Sequence, residues 1–214
     1  MLDAFTWYKQ SALRWAGPLT VHIDPWGVPE GEPKADPVLI THAHFDHFSQ
    51  EDLDRVMTPK TIVVAPHDIA AQLASGDVRG VKPGETIEAA GLDVQTVAAY
   101  NSKPERQDFH PRDNNWVGYV VDLGGTRSYF AGDTDHIAEM SDIRTDVAFV
   151  PIGGTYTMDP QEAAGAVKEI APKVAVPYHF GFVVGSPSFG DEFVKAIAPI
   201  KGQILKPVNP FEQA

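Results

Sequence analysis

No cysteine occurs among the 214 residues, which removes disulfides and thiolate metal ligands together. A chain without thiols suits a reducing cytoplasm, the compartment expected here. Basic side chains are also scarce: 17 Lys and Arg face 29 Asp and Glu, a formal charge of −12. Nucleic acid and membrane are therefore not expected partners, because both are held through basic patches. Long apolar runs are missing too. Met1-Leu2-Asp3 puts an acid where a signal peptide carries a base, and nothing approaches the ~20 apolar residues of a membrane span.

What remains is enough for one sizeable domain over residues 1–214, since 43% of the side chains are hydrophobic. Residues Trp7 to Trp15 read as a short helix or an edge segment. Leu19 to Ile23 alternate as a half-buried strand does, ending at Asp24-Pro25. Val38-Leu39-Ile40 and Thr61 to Ala65 read as buried strands, and Ser49 as the N-cap of a helix over Gln50 to Val56. Pro66 opens a helix that Gly76 stops, and Val78 to Ala98 read as a meander. Trp116–Leu123 and Thr126–Ala131 form a hairpin about Gly124-Gly125. Strands over Val147 to Pro151 and Val174 to Pro177 flank a helix opened by Asp159-Pro160-Gln161-Glu162 and ending near Ile170. A helix over Glu192 to Ala198 and a strand near Gln203 to Leu205 close the pattern. Strand series with a few amphipathic helices point to an α/β (α+β) architecture of layered sheets with helices outside.

The densest chemistry is Thr41-His42-Ala43-His44-Phe45-Asp46-His47, directly after an apolar strand. Side chains alternate along a strand, so His42 and His44 leave its end on one side, and Asp46 and His47 follow where the backbone turns. Neutral imidazoles and carboxylates are the ligands that zinc, manganese and iron accept. A polar surface loop has no packing use for three histidines so close together. Asp133 in Gly132-Asp133-Thr134 and His179 after Val174 to Pro177 also sit at strand ends. Each has an ordinary reading, as a turn aspartate or a core histidine. With a ligand cluster elsewhere in the chain, both are candidate ligands. Asp24, ending a strand beside the motif strand, is placed to orient a ligand imidazole.

The His-x-His-x-Asp-His run resembles the signature of the metallo-β-lactamase superfamily. Phe130-Ala131-Gly132-Asp133-Thr134 and Pro177-Tyr178-His179-Phe180 resemble its later metal segments in order and spacing. Ala99-Tyr100-Asn101, Trp116-Val117-Gly118-Tyr119 and Pro151 to Met158 resemble the small stand-alone metal-dependent hydrolases within it. The resemblance implies a four-layer αββα sandwich with the site between the sheets at one edge. It also implies a first metal on His42 and His44, a second on Asp46, His47 and His179, and Asp133 as the bridge. One departure stands out. The superfamily's further histidine falls at Asn101, so the first metal's third protein ligand is either Asn101 or His110, nine residues on.

A dinuclear site of this kind implies a metal-dependent hydrolase using a metal-activated water on a small ester, lactone or phosphodiester. Two zinc ions are expected, with manganese or iron as alternatives, and Asp46 also serves the catalytic water. Lys103, Arg106 and Arg112 lie in the unpatterned stretch Asn101 to Asn115 and suggest an anionic small-molecule substrate, although Glu105, Asp108 and Asp113 balance them. Tyr156, Met158, Phe180 and Phe182 are candidate pocket walls, and His136 a candidate neighbour of the site. His22 and His67 are expected to be structural or superficial. Two other classes fit the motif: a di-iron redox enzyme, and a metal-binding interaction module without catalysis. The sequence leaves the oligomeric state open.

Overall fold

A strand whose residues are all apolar needs cover on both faces, and the run before the histidines has it. In the computed structural model, which describes residues 2–73 and 76–213, that run lies inside a six-stranded sheet. The spatial order is β1 (Phe5–Trp7), β2 (Leu13–Ala16), β3 (Thr20–Ile23), β4 (Pro37–Leu39), β5 (Ile62–Pro66) and β6 (Asp77–Val81). The first three strands run antiparallel; from β3 onward neighbours are parallel. The second sheet has seven strands. Its order is β13 (Lys201–Gly202), β12 (Val174–Tyr178), β11 (Val147–Pro151), β10 (Arg127–Phe130), β9 (Val117–Asp122), β8 (Leu92–Ala98) and β7 (Thr86–Ala89). Here β7 to β10 are antiparallel and β10 to β13 parallel.

Alternation sorts the side chains into layers. Leu39 and Val64 face inward and join Ile23, Val94, Tyr119 and Val121 in a core drawn from both sheets. Val38, Ile40, Val63 and Ala65 face outward, under Leu53 and Val56 of α1 (Gln50–Val56) and Ile69 of α2 (His67–Ala70). Helices α3 (Pro160–Ile170) and α4 (Phe189–Ala196) pack together against β11, β12 and β13 of the second sheet. The result is the expected αββα sandwich. Buried Tyr119 ties its halves together, donating its hydroxyl hydrogen to the carbonyl of Ile40 at 2.6 Å, with that of Val64 at 3.1 Å. Losing that hydroxyl would leave the buried Ile40 carbonyl short of a donor, a cost of about 1–3 kcal/mol, while that of Val64 keeps the Ile40 amide.

Local chemistry explains the element ends. Ser49 accepts from the Asp52 amide, and the Asp52 carboxylate accepts from the Gly27 and Val28 amides, pinning α1 to the preceding loop. Asp159 caps α3 by accepting from Gln161 and Glu162, with Pro160 at the first helical position. Glu162 does not reach back to complete a capping box, because Arg106 and Lys103 engage it.

Several expectations are corrected. Trp7 to Trp15 contain the end of edge strand β1 and most of β2, joined by a turn with Gln10 in left-handed conformation (φ 48°). The expected meander is divided: β6 belongs to the first sheet and β7 and β8 to the second, so Lys82-Pro83-Gly84 crosses between sheets. The helix expected from Pro66 to Gly76 is one turn, His67–Ala70; its residues 74 and 75 lie outside the described ones. Helix α4 starts at Phe189, earlier than expected, and the last strand is Lys201–Gly202. Among the described residues no helix is long and apolar enough to cross a membrane.

Candidate metal centre

Strands β3, β4, β10 and β12 end along one edge of the sandwich, and the segments that leave them carry Asp24, His42 to His47, Asp133 and His179. Polar groups beyond the carboxyl ends of strands are where open α/β sheets build sites. Two groups form there. His42, His44, His110 and Asp133 are mutually close, as are Asp46, His47 and His179, each set with one potential ligand atom per residue within 4.8 Å of the others. All are buried except His44, which is half-buried.

Asp133 lies between the groups. Its Oδ2 is 3.0 Å from His179 Nε2, 3.3 Å from His110 Nε2 and 3.8 Å from His42 Nε2, while Oδ1 is 3.3 Å from His47 Nε2. Asp46 Oδ2 lies 3.5 Å from His179 Nε2 and 3.8 Å from His47 Nε2. His42 Nε2 and His44 Nδ1 are 3.1 Å apart. The backbone is tight enough for this convergence only where small or strained residues allow it. Gly132 has φ +68°, and a Cβ there would meet Thr41 Cβ and the Val117 carbonyl at 3.1 Å. His179 itself is left-handed (φ 58°), a conformation uncommon outside glycine and typical of functional sites.

Three of the imidazoles, those of His42, His47 and His110, are held from behind. Asp24 Oδ2 accepts from His47 Nδ1 at 2.7 Å and from the Thr41 hydroxyl at 2.7 Å, so Asp24 has the orienting place expected of it. Thr41 Oγ1 lies 3.0 Å from His42 Nδ1. Asn101 Oδ1 is 2.7 Å from His110 Nδ1, and Asn101 Nδ2 donates to Asp135 Oδ1 and to the Tyr156 carbonyl. An amide oxygen can only accept, so His110 donates to it from Nδ1 and turns Nε2 toward Asp133. Of the two alternatives the structure places His110 beside Asp133, while both ends of the Asn101 amide are engaged and its oxygen lies behind the His110 ring. The signal that could have separated the two was absent, because Asn101 to Asn115 have no periodicity from which a fold-back could be read.

Charge is distributed unevenly. Burial drives His42 well below the usual histidine range, with the neighbouring His47 adding to the shift; burial and the nearby His110 lower His44. For His47 and His179 burial acts the same way but loses to the carboxylates. Asp133, with Asp46 and Asp24, holds His47 well above its ordinary value, and Asp133 with Asp46 raises His179 to about 9. Burial opposes ionisation of Asp46 and Asp133 too, yet the His47 and His179 charges bring Asp46 down to about 2 and Asp133 well below the carboxylate range.

The donor set fits a cation. His47 Nε2, His110 Nε2 and Asp133 Oδ1 are buried, face the centre and have no hydrogen-bond partner. Unsatisfied groups of that kind are rare unless an ion completes them. Beside them opens a cavity of about 290 Å³ lined by His44, Phe45, Asp46, Phe109, His110, Asp133, Tyr156, His179 and Val183. A larger surface depression of about 620 Å³ near Met57 and Leu73 has no such ligand set.

Other expected neighbours lie elsewhere. Met158, Phe180 and Phe182 are core residues, and only Tyr156 of the four candidate walls reaches the cavity. His136 pairs with Glu169 instead of facing the site. Arg106 is buried against Asp135 and Glu162, Lys103 binds Glu162 and Arg112 binds Glu139, so none of the three bases lines the cavity. His22 is buried, stacked on Tyr8 and bonded to the Pro33 carbonyl, and burial brings its pKa down to about 4. Gln10, which nothing in the sequence singled out, is fully buried, with its amide against Asp46 and His179.

Comparison with known proteins agrees with the fold. Residues 4–179 match the model of the Beta-lactamase superfamily domain. A "UPF0173 metal-dependent hydrolase" of Archaeoglobus fulgidus is 30% identical over 97% of this chain and 97% of its own. A solved structure from Parabacteroides distasonis is 31% identical with a TM-score of 0.86, covering 95% of this chain and 92% of that one. Igni18, a metallo hydrolase from Ignicoccus hospitalis, is 27% identical with a TM-score of 0.75, over 95% and 94% of the two chains.

Proposed function

Because the chain belongs to the Beta-lactamase superfamily domain family, we propose that it is a hydrolase with two cations at this centre. His42, His44 and His110 hold the first, Asp46, His47 and His179 the second, and Asp133 is shared. What carries the reading is one carboxylate within 4 Å of imidazoles from both groups. Zinc is the expected metal, with manganese or iron as alternatives, and the cytoplasm is the compartment that a thiol-free chain suits.

Cations at such a centre lower the pKa of a water and polarise the bond it attacks. The protein's own groups do the rest. Asp46, ionised at neutral pH, accepts a hydrogen bond from the attacking water and orients it. Asn101 and Asp24 keep the imidazoles of His110 and His47 aimed, so no reorganisation is needed when charge develops. Phe45, Phe109, Tyr156 and Val183 form an apolar mouth to the cavity, with Phe45 65% and Phe109 41% exposed. With the three loop bases already paired, that mouth favours a small ester or lactone with an apolar group over a phosphodiester. The test is a panel of chromogenic esters, lactones and phosphodiesters with metal-loaded protein. Cleavage of an ester or lactone, abolished in His42→Ala, is expected; a metal-loaded protein inert across the panel would overturn the proposal.

A further inference from the structure

Gln10 is wholly buried at the tip of the β1–β2 turn. Its left-handed backbone (φ 48°) is one that a non-glycine residue keeps only where its surroundings hold it there. That conformation aims its carbonyl at the Trp7 indole N–H (2.7 Å) and at the backbone N–H of His179 (3.0 Å). The turn is thus locked to the segment that presents His179. The side chain follows the same direction: one end of its amide lies 3.1 Å from Asp46 Oδ2 and 3.0 Å from His179 Nε2. The other end is buried without any partner.

Those two distances are informative. Ligands bound at about 2.0–2.2 Å to one cation lie about 2.8–3.6 Å from each other in tetrahedral or octahedral geometry. The amide end therefore stands to Asp46 and His179 as one ligand stands to its neighbours. An N–H there would face an imidazole nitrogen whose lone pair is directed at the cation, and it would find only Asp46 to accept it. An oxygen there would face the cation itself. A half-turn of the amide exchanges the two atoms without moving the backbone, and their order is assigned from hydrogen bonding alone.

We infer that Gln10 is a ligand of the second cation through its side-chain carbonyl oxygen, an inference that rests on the two-cation reading above. The second site then offers two imidazoles and three oxygen ligands, from Asp46, Asp133 and Gln10; the first offers three imidazoles and Asp133. Carbonyl and carboxylate oxygens suit harder ions, so the second site takes manganese or ferrous iron more readily than the first.

The experiment compares wild type, Gln10→Met and Gln10→Glu. Methionine keeps the length and burial and removes the oxygen; glutamate keeps the oxygen and removes the N–H. Manganese and zinc bound per chain are measured by elemental analysis after dialysis, and stepwise affinities by calorimetry. Wild type should hold two cations. Gln10→Met should bind the second about tenfold or more weakly with the first unchanged, and Gln10→Glu should hold it at least as tightly as wild type. If glutamate weakens the second cation as methionine does, Gln10 is a donor to Asp46 and the inference is wrong. It is equally wrong if methionine has no effect. A wild type that binds fewer than two cations would remove the two-cation reading itself.

Discussion

The two ligand groups share a carboxylate but start from opposite charge states. His42 and His44 are kept neutral by burial, so their group meets a cation with lone pairs already free. His47 and His179 are held as imidazolium by Asp46 and Asp133, so the metal-free second group is a buried, self-neutralised set of ion pairs. A dry pocket tolerates two carboxylates only with compensating charge, either protons or metal. One group is thus preorganised for metal, and the other must exchange protons for it.

Removing the shared residue should erase the difference. Asp133→Asn, close in shape but uncharged, should lose both cations and lower hydrolysis on the order of 10³-fold or more, read by elemental analysis and initial rates. Asn101→Ala should act on one side only, weakening the cation of the His110 group about 10–100-fold while the other affinity barely moves. Retention of both affinities in calorimetry would break that account of Asn101. The proton exchange has a definite sign. With His179 at about 9, the metal-free protein carries that proton at pH 7. The ion pair stabilises the metal-free fold fully below the ordinary histidine pKa of about 6.5, and that contribution is lost as pH rises through about 9. Affinity of the second cation should therefore rise from pH 7 to 9, by up to about tenfold per pH unit for each proton displaced. Calorimetry in buffers of different ionisation heat should register proton release with the second cation and none from His42 or His44. The smallest effect belongs outside both groups: Phe45→Ala should raise KM for apolar esters about tenfold and leave both metal affinities unchanged.

Much of this centre was readable from the chain. A strand followed by His42, His44, Asp46 and His47 announces itself because period-two geometry converts spacing into direction. Asp24, Asp133 and His179 were readable as strand-end residues, and the layer order followed from the resemblance. The His110 and Asn101 assignment was not, because the intervening loop folds back through Asp135, Arg106 and Glu162, long-range pairs with no local signature. Gln10 was hidden for the same reason: a glutamine between lysine and serine reads as surface, and only the left-handed turn puts it inside. The paired bases Lys103, Arg106 and Arg112 show the reverse error, in which proximity along the chain suggested a common task that ion pairing had already claimed.

The most direct measurement is anomalous diffraction from crystals of the metal-loaded protein. Two peaks on the order of 3.5–4 Å apart are expected, one beside His42, His44 and His110, the other beside Asp46, His47 and His179, with Asp133 between them. A single peak, or a cation coordinated by Asn101 with His110 turned away, would contradict it.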